Sequence, residues 1–105
     1  MTGPKVWRDL DQAALDRQYD SRGTVADYTV YTRQYAALTR AAKGALACIE
    51  GLRYGPGEHE TLDLYPPRAE HAPLMVFVHG GNWQTLSKAD SGFGAPAFVQ
   101  AGAGF

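Results

Sequence analysis

Pro73-Leu74-Met75-Val76-Phe77-Val78-His79-Gly80-Gly81-Asn82-Trp83 is the stretch that decides the fold. Its first half is a continuous apolar run, and two glycines end it abruptly. Such a run reads as a buried strand, with a tight loop at its C-terminal end. It is apolar on both faces, which suits a central strand covered by helices. In open α/β sheets the C-terminal ends of strands are where ligands bind. The loop offers backbone N–H groups and no nucleophile, so it has the character of half an active site.

Working upstream, Glu60-Thr61-Leu62-Asp63-Leu64-Tyr65 alternates polar and apolar residues, the pattern of a half-buried strand. Residues 47–54 form a weaker strand through Cys48, Ile49, Leu52 and Tyr54, with Gly51 marking a bulge. Gly55-Pro56-Gly57 lies between them as a turn, so the two strands are expected to pair as an antiparallel hairpin that Pro66-Pro67 ends. Residues 68–72 are a polar link. Residues 25–43 read as a helix capped by Asp27 or Thr24 and closed by Gly44. Tyr28, Tyr31, Tyr35, Leu38 and Ala42 fall at steps of three and four along it, a packing face rather than a ligand wall. Arg40 and Lys43 lie off that stripe, near the helix C-terminus, where the dipole favours them. Residues 7–20 form a less periodic helix, with Asp9 or Asp11 as its cap.

Downstream, residues 85–90 are polar loop. The next helix is expected to start near Ala95 rather than Ser91, because Pro96 suits a first turn, and to run to Ala101 with Phe93, Phe98 and Val99 inward. Gln100-Ala101-Gly102-Ala103-Gly104-Phe105 then reads as a helix end followed by the first residue of another strand, so the pattern stops where a βαβ unit would continue. The expectation is a partial α/β domain over 1–105. Residues 1–46 are its helical N-terminal segment, and residues 47–105 are the start of a sheet with the loop and its following helix.

The composition narrows the function. The net charge of −1 over 105 residues gives no basic face for nucleic acid. The N-terminus has no apolar h-region, and no run approaches the ~20 apolar residues of a spanning helix. A cytoplasmic protein without nucleic-acid or membrane partners is expected. The single Cys48 excludes an internal disulfide and, between Ala47 and Ile49, reads as a buried structural thiol.

The glycine loop fits acyl transfer. A tetrahedral intermediate needs donors aimed at its oxyanion, and rigid backbone N–H groups supply them. Glycine lets the chain turn sharply and a substrate approach the backbone. Gly81 and Asn82 are the expected donors and Gly80 a third. His79 is expected to brace the loop by hydrogen bonding, and Trp83 to wall the pocket or pack under the loop. Gly-Gly alone would be only a turn. A buried strand, then His-Gly-Gly-x-Trp, then a polar loop and a helix matches the oxyanion-loop motif of lipases and esterases.

On these residues the chain resembles the α/β-hydrolase superfamily, in particular its esterase and kynurenine-formamidase (arylformamidase) branch. Asp9-Leu10-Asp11 with Gln18-Tyr19-Asp20-Ser21-Arg22 resembles that branch's N-terminal helix and turn. Tyr54-Gly55-Pro56-Gly57 with Glu60-Thr61-Leu62-Asp63-Leu64-Tyr65-Pro66 resembles its opening hairpin, and Lys88-Ala89-Asp90 also fits. Asn82 departs from the tyrosine common in that branch, which keeps a backbone donor and removes an aromatic contact. The resemblance implies a small-molecule ester or aryl formamide substrate, such as N-formylkynurenine, and serine acyl transfer without a cofactor.

It also implies a Gly-x-Ser-x-Gly elbow, an acid and a histidine after the loop. Ser21, Ser87 and Ser91 are the only serines, and none has glycines on the required sides. His59 and His71 lie in polar turns, and neither metal spacing nor a nucleotide-binding glycine pattern occurs. The catalytic triad is therefore missing from these residues. Two expectations follow: an N-terminal piece of a serine-type hydrolase, inactive alone, or a non-catalytic remnant acting as a binding or interaction module.

Overall fold

The computed structural model describes residues 3–105. The chain divides into two compact units, Met1–Val30 and Tyr31–Phe105.

In the first unit, Lys5–Trp7 (β1) pairs antiparallel with Leu10–Asp11 (β2), and Gln12–Tyr19 (α1) follows. The expected helix over 7–20 thus starts five residues late, because Arg8 takes a positive φ of 51° and turns the chain back on itself. Asp11 caps α1: its Oδ1 accepts from Ala14 N at 2.8 Å, and its Oδ2 accepts from Gly3 N at 3.0 Å. One carboxylate thus closes the hairpin and opens the helix.

The long helix is Thr29–Ala45 (α2), not 25–43. Asp27 accepts from both the backbone N–H and the hydroxyl of Thr29, which sets the start beyond Thr24. Gly44 lies inside the helix rather than ending it. The expected stripe is also covered only in part. Tyr31 and Leu38 are 47% and 55% exposed, whereas Thr39 and Ala42 are buried.

In the second unit, Ile49–Arg53 (β3) and Thr61–Leu64 (β4) form the expected antiparallel hairpin, and its register shifts between Ile49 and Leu52. Gly51 sits in that bulge with φ 69°. The alternation along β4 is present, but its buried phase is the polar one. Leu62 is 41% exposed, while the Asp63 side chain is 5% exposed and Tyr65 is buried.

Ala95–Gln100 (α3) starts at the residue that Pro96 predicts. Tyr65, Ala42, Ala95 and Val99 make the core, with Leu46, Cys48 and Phe105 packed against it. Phe105 exchanges both backbone hydrogen bonds with Tyr65, at 2.7 and 3.0 Å, while Gly104 pairs with Leu74 on its other side.

The buried central strand is corrected. Of 74–78, Leu74 alone pairs, through a single parallel bridge to Gly104, and Val76 and Val78 are 73% and 84% exposed. A strand is defined by its neighbours, and these residues meet one only at Pro73, Leu74 and Met75. The architecture is α/β, with small antiparallel sheets and three α-helices among the described residues. No described helix is long and apolar enough to cross a membrane.

Candidate oxyanion loop

The loop begins where the extended segment ends. Gly81 has φ 120°, and a Cβ there would lie 1.9 Å from the Thr85 carbonyl oxygen, so this turn admits glycine alone. The Gly81 carbonyl accepts from Gln84 N at 2.9 Å and Thr85 N at 3.1 Å, closing a single turn. Asn82, Trp83 and Leu86 also have positive φ, at 53°, 58° and 66°. Side-chain-bearing residues rarely occupy that region, and such strain persists where surrounding structure holds it.

The N–H groups of Gly80, Gly81 and Asn82 donate no hydrogen bond to any described residue. His79 Nδ1 donates to the Gly80 carbonyl at 2.8 Å. Trp83 is fully exposed and stands at the rim of an open cleft of about 990 Å³, lined also by Tyr54, His59, Leu62, Val76 and Val78.

The serines near this loop have structural duties. Ser87 Oγ accepts from Ala89 N at 3.2 Å, and Asp90 Oδ2 accepts from Ser87 N at 3.1 Å, a capping box on the 3₁₀ turn Lys88–Asp90. Ser91 Oγ donates to the Ser87 carbonyl at 2.7 Å. Ser21 accepts a hydroxyl bond from Thr24 through its carbonyl, far along the chain from the loop. No imidazole bonds to any of these hydroxyls among the described residues, so none is set up as an activated nucleophile.

Beneath the loop's exit lies an ionic centre. Asp63 Oδ1 accepts from Lys88 Nζ at 2.6 Å and from Gly51 N at 3.0 Å, and its Oδ2 lies 3.3 Å from Lys43 Nζ. Burial works against the Asp63 charge, but the bonds from Lys88, Gly51 and Lys43 outweigh it and hold the carboxyl below its ordinary value. Lys43 also bonds Glu50, and that bond is the largest cause pushing its ammonium up to about 12. Next to this centre the Tyr65 hydroxyl is buried without a hydrogen-bond partner among the described residues, with the weakly polar Cys48 thiol beside it. Burial pushes Tyr65 up to about 12 and raises Cys48 as well. Gly92 makes room for that hydroxyl, since a Cβ there would approach it to 2.1 Å.

No protein-family model matches the chain. It is 36% identical over 104 residues to a kynurenine formamidase of Salmo salar, covering 91% of this chain and 35% of that protein. It is 34% identical over 105 residues to a kynurenine formamidase of Danio rerio, covering 92% and 36%. The chain is similar in sequence to kynurenine formamidases. It spans about a third of the length of these relatives. A crystal structure of a candidate thioesterase from Silicibacter sp. matches with a TM-score of 0.74 at 27% identity, over 86% of this chain and 36% of that one. These likenesses support an arylformamidase-like, hydrolase-like relationship.

Sequence reasoning picked out the loop residues, gave Asp63 and Lys88 no role beyond their place in the family resemblance, and missed Thr39. Thr39 is fully buried, donates to the Tyr35 carbonyl at 2.7 Å and accepts from Gly92 N at 3.1 Å. The one available signal was the phase of β4: Asp63 shares a face with Tyr65, and a carboxylate on a covered face needs cations.

Proposed function

We propose that these residues are the oxyanion-loop portion of a serine-type α/β-hydrolase that cleaves aryl formamides of the N-formylkynurenine kind, or carboxylic esters, without a cofactor. On this reading the chain is the N-terminal part of one α/β-hydrolase domain, with 1–46 as its helical entry and 47–105 as the start of its sheet. The observation that carries the proposal is the pair of free amide N–H groups at Gly81 and Asn82, held by a turn closed on the Gly81 carbonyl.

Attack on a formyl or acyl carbonyl moves negative charge onto its oxygen. Two fixed N–H donors at about 2.7–3.1 Å from that oxygen stabilise it without reorganisation, and loss of one such donor costs about 10²–10³ in rate. Gly80 offers a third. The His79 bond to Gly80 limits the freedom of the loop's first peptide. Trp83 offers an aromatic wall to the cleft. The nucleophile and its base have no counterpart at Ser21, Ser87 or Ser91, so acylation requires a triad from residues other than these.

The purified 105-residue chain is therefore expected to hydrolyse neither N-formylkynurenine nor p-nitrophenyl acetate, and the coding sequence beyond Phe105 to contain a Gly-x-Ser-x-Gly elbow. Turnover by the chain that Gly81→Pro abolishes would sink the separation of loop from triad. Unrelated downstream sequence would sink the parent activity.

A further inference from the structure

We infer that Asp63 is a positioning residue for the glycine loop, acting through Lys88. The inference rests on the loop role proposed above, and it stands on how the loop is attached. Met75 N donates to the Gly104 carbonyl at 2.9 Å. From there to residue 87, every hydrogen bond made by the described residues stays within residues 79–91: His79 to Gly80, Gln84 and Thr85 to Gly81, and Ser87 with Ala89, Asp90 and Ser91. The next polar tie to another part of the fold is Lys88 Nζ to Asp63 Oδ1, at 2.6 Å across 25 residues of sequence.

That tie is well placed to act at a distance. Four residues between 81 and 86 hold positive φ, and three of them are not glycine. A strained turn of this kind keeps its shape only while its ends are fixed. Lys88 opens the 3₁₀ turn that the Ser87–Asp90 capping box makes rigid, so the position of its side chain is passed directly to the loop's last residues. Asp63 is itself held from separate elements, by a hydrogen bond from the Gly51 amide in the bulge of β3 and by an ion pair with Lys43 on α2. Its side chain is 5% exposed, so the carboxylate end of the pair is screened from water, while the Lys88 side chain is 39% exposed. Lys43 shares the carboxylate but touches no loop residue in these bonds. The two lysines therefore separate a positioning role from a merely stabilising one.

The test is amide hydrogen exchange by ¹⁵N NMR on the purified chain and its Lys88→Met, Lys88→Arg and Lys43→Met variants. A charged hydrogen bond of this kind corresponds to roughly a tenfold or greater change in a local opening equilibrium. Lys88→Met is expected to speed exchange at Gln84 and Thr85 about tenfold and to shift the Gly81 and Asn82 amides, with Lys88→Arg restoring wild-type rates. Lys43→Met is expected to lower Tm while leaving those loop rates within about twofold. Loop exchange indifferent to Lys88→Met, or equally accelerated by Lys43→Met, overturns the positioning role. Exchange is read without substrate, so that failure is distinct from a failure to find formamide or ester hydrolysis, which would count against the loop's chemistry alone.

Discussion

Replacing Thr39 with valine isolates one buried hydrogen bond. Thr39 has no exposed surface, and its hydroxyl accepts from Gly92 N across 53 residues of sequence. Valine keeps the β-branched shape and nearly the same helix propensity, so α2 itself is not weakened. The Tyr35 carbonyl loses the hydroxyl's bond but keeps its place in the helix ladder, a small loss. Gly92 is buried, and its N–H would be left without an acceptor, a cost of about 1–3 kcal/mol. The added methyl recovers at most about 0.8 kcal/mol of that by burial. With that recovery the net expectation is a loss of about 0.2–2 kcal/mol, which for a domain of this size lowers Tm by up to roughly 16 °C. Thr39→Ser keeps the hydroxyl and removes only a methyl, so its loss is expected to be about 1 kcal/mol or less. Urea and thermal unfolding followed by circular dichroism on the purified chain measure both. If valine matches or exceeds wild type while serine falls below it, the site is apolar packing, and the account of how α2 holds the segment before α3 is wrong.

Two further expectations concern titration. The Asp63 carboxyl is held below its ordinary value, so its contribution is present above about pH 4 and is lost as pH falls through the lower folded value. Urea midpoints between pH 7 and pH 3 should decline at the acid end, and Asp63→Asn should flatten that decline while lowering stability at pH 7. Tyr65 and Lys43 are both pushed up to about 12, so stability is expected to fall as pH rises from about 10 towards 12. Tyr65→Phe removes a buried hydroxyl that has no hydrogen-bond partner among the described residues, so it should be neutral or stabilising by about 1 kcal/mol at pH 7 and should shrink the alkaline loss. A clear destabilisation by Tyr65→Phe would mean that the hydroxyl is bonded after all.

Much of this protein was legible residue by residue. The turn between β3 and β4, the Asp11 cap and the start of α3 at Ala95 depend on interactions within a few positions of one another. Glycine, proline and aspartate announce such geometry locally. His79-Gly80-Gly81-Asn82-Trp83 belongs to the same class, because a turn that closes on Gly81 involves no residue beyond Thr85. The β3–β4 hairpin, the start of α3 and the glycine turn therefore follow from the sequence, whereas the β1–β2 hairpin and the unpaired 76–78 do not.

Only the tertiary structure decided what those elements face. Of the stripe on α2 Ala42 is buried while Tyr31 and Leu38 are exposed and the off-stripe Thr39 is buried, because the packing partners, not the periodicity, choose which ridge is covered. Apolarity in 74–78 says what the segment tolerates, whereas pairing requires a neighbour, and the fold supplies one only beside Leu74 and Met75. Asp63 becomes the anchor of the loop's exit because folding brings Lys43, Gly51 and Lys88 to one carboxylate from positions 12 to 25 residues away. Short-range geometry is written in residue types, but charge pairing and burial depend on which distant residues the folded chain sets side by side.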